Sequence, residues 1–319
     1  MSEQQVDVRT VDHAARDPLA HGLRADAGTF AYVEGLYETY RSELITLTKE
    51  LARRCATGAF EGSRGTYDIE GELYYMAVRE LRPRRVLEMA SAAGWSTLYL
   101  ASAVAANGGD AAVHTFELLP ENVARVQRNV IQEFPFVTMH PGDCRERFRA
   151  LVAQDPAPFE LILLDVHATD FPQFAVREIF PRTRGLAFIH DVLPNNYPWN
   201  HPEGVFYLWL LQQGGVPFLP IATLVARPEI ARVREALTAR HTDGVRGTFA
   251  KGIMLAVNGP DFDTPAWRQA TGLRFAQFPA KGLDQYPNLP GRLAGVSLRE
   301  LLRAAARICR DRVLGRRGR

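Results

Sequence analysis

Cysteine is scarce in this chain. Cys55, Cys144 and Cys309 are odd in number and far apart, which argues against a disulfide framework and a cysteine-built zinc site. Lysine is almost missing: Lys49, Lys251 and Lys281 stand against abundant arginine, a bias we ascribe to coding rather than chemistry. No window of ~18 apolar residues is free of charge, so no transmembrane helix is expected. The opening stretch MSEQQVDVRTVDHAARD has no apolar segment behind a basic head. It does not read as a secretory signal, and the cytoplasm is the expected compartment. Internal repeats and low-complexity tracts are also lacking. What is present is an ordinary globular balance, 46% hydrophobic and 23% charged over 319 residues. That excludes extended disorder, collagen-like and coiled-coil architectures.

The net charge of +2 is unevenly placed. Residues 296–319 carry eight Arg against Glu300 and Asp311, a local +6, so the other 295 residues sum to −4. A body without a basic stripe is not expected to bind nucleic acid. Residues 297–314 read as an amphipathic helix, with Leu298, Leu301, Leu302, Ala305, Ile308 and Val313 broadly on one side. Ser297 and Glu300 match a capping box at its start. Because the apolar face is short and Ala-rich, docking on the chain's own body or on a second subunit is favoured over peripheral membrane contact.

Three regions are expected: an N-terminal arm and helical cap over 1–66, a main domain over 67–258, and an irregular segment plus the basic helix over 259–319. In the cap, Val33, Leu36, Tyr37, Tyr40, Leu44, Leu47 and Leu51 recur at three and four, predicting a helix across 30–55. A second helix over 69–81 stops at Arg82-Pro83. Beyond it, β-rich runs at 85–89, 112–116, 137–140, 161–164 and 186–189 alternate with helical stretches at 96–106, 121–134, 145–153 and 174–179. Residues 218–225 and 252–257 read as two further strands. Unbroken apolar runs such as LILL and LAFI belong to a parallel sheet covered on both faces.

In such a sheet, ligands bind outside the carboxyl ends of the strands. The first strand runs into Ala90, Ser91, Ala92, Ala93 and Gly94, small residues that admit a ligand to the backbone. A helix opening at Trp95, Ser96 and Thr97 directs its free N–H groups there. The dinucleotide signature G-x-G-x-x-G is absent, and Glu88 inside the strand would repel a pyrophosphate but suits an ammonium group. The second strand ends at Glu117, followed by Leu118; a carboxylate there is placed for a ribose diol. After the third strand, Gly142-Asp143-Cys144 offers an acceptor for an exocyclic amine and a thiol to line a ring. Each of these alone is equally a bare turn or a solvated acid.

Taken together, RVLEMASAAGWSTLYLA, HTFELLPENV and HPGDCRE resemble the first three motifs of the class I S-adenosylmethionine-dependent methyltransferases, over roughly residues 68–258. Within that superfamily the chain is most similar to small-molecule O-methyltransferases. The resemblance implies an α/β fold: a Rossmann-like, doubly wound, seven-stranded and mainly parallel sheet with the last strand reversed, helices before it and the amphipathic helix after it. It also implies S-adenosyl-L-methionine as cofactor. Glu88 would meet the methionine ammonium; Ala90, Ser91, Gly94, Trp95 and Ser96 would line the approach. Glu117 and Leu118 would hold the ribose, and Asp143 and Cys144 the adenine. The family usually has Gly where Ala90 stands, and often where Ala92 stands.

The fourth strand ends Leu164-Asp165-Val166-His167 and the fifth Ile189-His190-Asp191. In metal-dependent members, Asp165, His190 and Asp191 would fall on the positions that chelate Mg²⁺ or another divalent metal, Asp165 also lying beside the cofactor. His190 is alternatively a general base oriented by Asp191 or Asp165, and the two roles are compatible. His167 and Asp170 read as loop-capping or solvated groups. Glu70 or Tyr67 would cover the cofactor, although acids at a helix start are favourable without any ligand. Tyr197, Trp199 and His201 form either an acceptor wall or a packing anchor. The activity implied is methyl transfer to a hydroxyl of a small-molecule acceptor such as a sugar or polyketide. N- or C-methylation without metal, and a non-catalytic assembly partner, are the alternatives; a homo-oligomer is compatible with either.

Overall fold

The computed structural model describes residues 23–60, 68–192, 202–225, 227–235, 237 and 250–272. Seven strands form: β1 (Arg85–Met89), β2 (Ala112–Glu117), β3 (Val137–Pro141), β4 (Phe159–Leu164), β5 (Thr183–Ile189), β6 (Leu219–Pro220) and β7 (Ile253–Asn258). They make one sheet in the order β3-β2-β1-β4-β5-β7-β6, parallel from β3 through β5, with β7 antiparallel to both its neighbours. This is the Rossmann-like doubly wound sheet expected from the strand–helix alternation. Strand order reverses between β1 and β4, so their carboxyl ends border the crevice where ligands of such sheets lie.

The helices are α1 (Ala27–Thr39), α2 (Arg41–Ala56), α3 (Asp68–Leu81), α4 (Trp95–Ala106), α5 (Pro120–Val126), α6 (Cys144–Gln154), α7 (Phe171–Phe174), α8 (Pro202–Gln213), α9 (Ala222–Val225), α10 (Pro228–Glu235) and α11 (Pro265–Thr271). Side-chain alternation divides the core in two. The cross-strand row Glu88–Leu163–Phe188–Met254 faces the layer containing α1 to α4, and the row Leu87–Ile162–Ala187–Leu255 faces α6 to α8 and α11. Each fully buried aliphatic or aromatic side chain is worth roughly 1.5–3 kcal/mol, so both faces must be apolar along the central strands. The same period of two carries Asp165 and His190, just past β4 and β5, to the α3 side of the sheet.

Three expectations change. The helix across 30–55 is two helices that part at Tyr40, whose φ of −99° and ψ of 11° leave the helical region. The strand across 218–225 shrinks to the two residues of β6. Pro220 brings no N–H to the ladder, and Thr223 Oγ1 donates to Pro220 O at 2.6 Å as the chain turns into α9. The segment after 258 is not irregular throughout: a 3₁₀ turn over Gly259–Phe262 leads into α11, whose N-cap Thr264 accepts from Trp267 N–H at 3.1 Å. The aromatic loop at 197–201 and the basic helix at 297–314 lie outside the described residues. No described helix is long and apolar enough to cross a membrane.

Candidate active site

The loop after β1 is built on left-handed backbone. Ala90 (φ 67°), Ala92 (φ 48°) and Gly94 (φ 89°) all lie in that region, which costs an alanine roughly 1–2 kcal/mol. The loop is held in place from β2. Ala90 and Ser91 N–H both donate to Phe116 O, at 3.0 and 3.1 Å. Glu117, 6% exposed, accepts from Ala92 N–H at 2.8 Å and from Leu119 N–H at 2.9 Å, clamping the loop to the end of β2. Gly94 is required twice over: its φ disfavours a side chain, and a Cβ there would lie 3.0 Å from Val130 Cγ2.

Glu88 is fully buried on the α4 side. Ser96, Thr97 and Thr115 donate their hydroxyls to its two oxygens at 2.5, 2.6 and 2.7 Å. Burial pushes its pKa up, and the three hydroxyls pull it back. Ser96 is thus engaged with Glu88. The side chain of Trp95 does not line the crevice: it is 1% exposed, edge-on to Phe60 and Tyr99 with ring centroids 5.0 and 5.7 Å away, because α4 turns its first residue into the core. Leu118 is 64% exposed beside Glu117. Asp143 caps α6 by accepting from Arg145 N–H at 2.8 Å and pairs with the same residue's guanidinium, which holds its carboxyl down at about 2. Arg145 also bridges to Asp170. These residues edge an open cleft of about 390 Å³ between α6 and α7. Cys144, behind them, is pushed up to about 11 by burial, with Asp143 adding to the effect.

At the ends of β4 and β5 the acids converge. His167 Nε2 lies 3.3 Å from Asp165 Oδ1 and 3.7 Å from Asp191 Oδ2, and its Nδ1 lies 3.1 Å from Oε1 of Glu203, at the start of α8. Burial works against the imidazolium, but hydrogen bonds and charge from Asp165, Glu203 and Asp191 raise its pKa to about 10. Asp191 has a φ of 53°, which swings it off the β5 line toward β4, and its Oδ1 lies 3.2 Å from Lys251 Nζ.

His190 goes elsewhere. Its side chain is 2% exposed, with Nδ1 2.8 Å from Glu70 Oε2 on α3 and Nε2 3.4 Å from Asp191 Oδ1. Burial opposes its charge, yet the carboxylates of Glu70, Asp165 and Asp191 outweigh that and hold its pKa well above the usual histidine range. His190 thus faces Glu70 beneath α3 and lies outside the Asp165–His167–Asp191 cluster, where its sequence position had placed it as a base or metal ligand. Glu70, fully buried, also accepts from Lys251 and Gly252 N–H at 3.0 and 2.6 Å. It ties α3 to the start of β7 instead of standing open over the crevice.

Among the described residues, the group that fits a cation is Asp165, His167 and Asp191, whose ligating atoms lie within 4.8 Å of one another. Oδ1 of Asp165 is buried and faces Nε2 of His167. His167 has the form of a ligating histidine, one nitrogen toward two carboxylates and the other held by Glu203. Two carboxylates and an imidazole suit Mg²⁺ or Mn²⁺, or a softer divalent ion. His167 was missed in the sequence, where only the short D-x-H spacing after the fourth strand marked it.

No protein-family profile matches the chain, and no curated protein aligns with it significantly. Solved structures do. A Staphylococcus aureus protein provisionally assigned as a caffeoyl-CoA O-methyltransferase is 18% identical, with a TM-score of 0.45, covering 72% of this chain and 99% of its own. An O-methyltransferase from Bacillus cereus in complex with SAH is 15% identical, TM-score 0.44, covering 67% and 90%. The O-methyltransferase TomG from Streptomyces achromogenes, involved in tomaymycin synthesis and bound to SAM, is 18% identical, TM-score 0.39, covering 66% and 88%. None of the three alignments reaches a TM-score of 0.5.

Proposed function

We propose that the chain transfers a methyl group from S-adenosyl-L-methionine to a hydroxyl of a small-molecule acceptor, with a divalent metal at Asp165, His167 and Asp191. What supports this most is the row of carboxylates at the carboxyl edge: Glu88 and Glu117 in the last residues of β1 and β2, and Asp165 and Asp191 just past β4 and β5, strands that border or flank the order reversal. An edge built of acids, with a single-glycine turn and no phosphate cradle, favours a cationic ligand over a nucleotide polyphosphate. A sulfonium donor carrying an ammonium group is such a ligand. The acceptor's hydroxyl needs its proton weakened, and a divalent ion, when bound, supplies that and orients the oxygen. Asp165 and Asp191 would hold the ion by carboxylate oxygens and His167 by Nε2, with Glu203 fixing the imidazole tautomer. The ion would displace the proton that His167 otherwise carries, so metal affinity is expected to rise with pH.

Calorimetric titration with S-adenosylhomocysteine, with Mg²⁺ or with EDTA, tests cofactor and metal together. Binding in the micromolar range is expected. His167→Gln should lose titratable Mn²⁺ binding by at least tenfold while S-adenosylhomocysteine still binds. No detectable binding of S-adenosylhomocysteine at millimolar concentration would overturn the reading.

A further inference from the structure

Tyr74 is fully buried on α3, one helical turn beyond Glu70 and on the same face, and its ring lies edge-on to Phe188 with centroids 4.8 Å apart. Phe188 belongs to the cross-strand row that contains Glu88, and Asp165 and His190 follow that row by one period on β4 and β5. Tyr74 therefore sits over the carboxyl half of the sheet on the side toward which these groups project. Its hydroxyl has no hydrogen bond, nor has the buried Oγ of Ser91 in the loop after β1. Phenol groups buried without a partner are costly and call for an explanation. The largest charges felt by this phenol are negative: after burial, Glu70, Asp165, Asp191 and Glu88 push its pKa well above the usual tyrosine value. An anionic ligand group would add one more negative charge to that set. A primary ammonium adds the opposite charge, and its N–H groups need oxygen acceptors of the kind that Tyr74 and Ser91 leave unused, beside the Asp165 carboxylate.

We propose that Tyr74 is a specificity-determining contact for the methyl donor, its phenol oxygen accepting an N–H from the donor's α-ammonium group beside Ser91 and Asp165. This rests on the cofactor assignment above and names a residue for it on α3, outside the strand-end loops. Such a tyrosine carries a stability cost in the free protein that the ligand relieves. Tyr74→Phe removes the hydroxyl and keeps the packing.

The test titrates wild type and Y74F with S-adenosylhomocysteine and with 5′-methylthioadenosine, which lacks the amino-acid head, and melts both proteins without ligand. Y74F should bind S-adenosylhomocysteine about tenfold more weakly, bind methylthioadenosine within twofold of wild type, and melt at an equal or higher temperature when free. Unchanged affinity for S-adenosylhomocysteine, as expected if the hydroxyl serves only a buried water, overturns the proposal. So does a parallel loss for both ligands, which marks a general packing role. A wild-type chain that binds neither ligand overturns the cofactor assignment itself, a result distinct from wild-type binding that Y74F leaves intact.

Discussion

Replacing Glu70 tests whether the ionic group beneath the site is a structural necessity. Glu70 is fully buried and the His190 side chain is 2% exposed, with 2.8 Å between Oε2 and Nδ1. At an effective dielectric near 20, opposite charges at close contact gain roughly 4 kcal/mol, and removing one partner of a buried pair typically costs 3–5 kcal/mol. Glu70→Gln keeps a carbonyl for the Lys251 and Gly252 N–H groups, so its cost is that of taking the buried carboxylate charge from Nδ1 of the imidazolium, about 3 kcal/mol. Glu70→Ala also strands two buried N–H donors at roughly 1–3 kcal/mol each, so its total should exceed about 5 kcal/mol. A double variant, Glu70→Gln with His190→Asn, removes both charges and should recover about 2 kcal/mol of what Glu70→Gln loses. Urea denaturation at neutral pH, followed by far-ultraviolet circular dichroism, measures all three. If Glu70→Gln matches wild type within about 0.5 kcal/mol, or if the double variant is the sum of its singles, the pair does not stabilise the fold and the reasoning fails.

Three further outcomes concern other parts of the structure. Ala90→Gly relieves a left-handed alanine and should raise stability by about 1 kcal/mol in chemical denaturation. Gly94→Ala should lower it by at least about 1 kcal/mol, because the new Cβ meets Val130 Cγ2 at 3.0 Å on a backbone with φ 89°. His114 faces His140 at 3.1 Å between its Nδ1 and Nε2, with Arg85 and Asp155 also nearby; burial, then His140 and Arg85, lower its pKa to about 4. The folded state thus binds fewer protons than the unfolded one between pH 6.5 and 4. Its stability should be complete above 6.5 and fall as pH drops through that window, by about 1–2 kcal/mol once solvent screening is allowed for. Thermal melts across that range should show a flatter acid limb for His114→Gln, and an unchanged limb would refute the assignment.

Much of the architecture was legible in residue order. Continuous apolar strands, each followed by a helical period, specify a parallel sheet covered on both faces, and Pro83 marks where the first strand begins. The acids at the strand ends were legible too, since Glu88, Glu117, Asp165 and Asp191 close apolar runs where a charge is otherwise costly. Ala90 and Ala92 were legible only as small residues. That both are left-handed shows when Phe116 O and Glu117 are seen holding the loop.

The division of labour between the two histidines was decided by tertiary structure alone. Sequence places His190 and Asp191 side by side, and His167 two residues beyond Asp165, with nothing to say which imidazole joins the acids. Period-two alternation sends His190 beneath α3, where Glu70 lies 120 residues upstream in sequence, whereas a φ of 53° turns Asp191 across to Asp165 and His167.

 No local pattern spans that separation. Composition, periodicity and strand-end chemistry thus determined the sheet and the acids along its edge. Which imidazole is buried as a charge partner, and which is left among the carboxylates, depended on α3 packing over β5. Contacts that remote in sequence are set by which faces are apolar enough to meet, and only the folded chain brings them together.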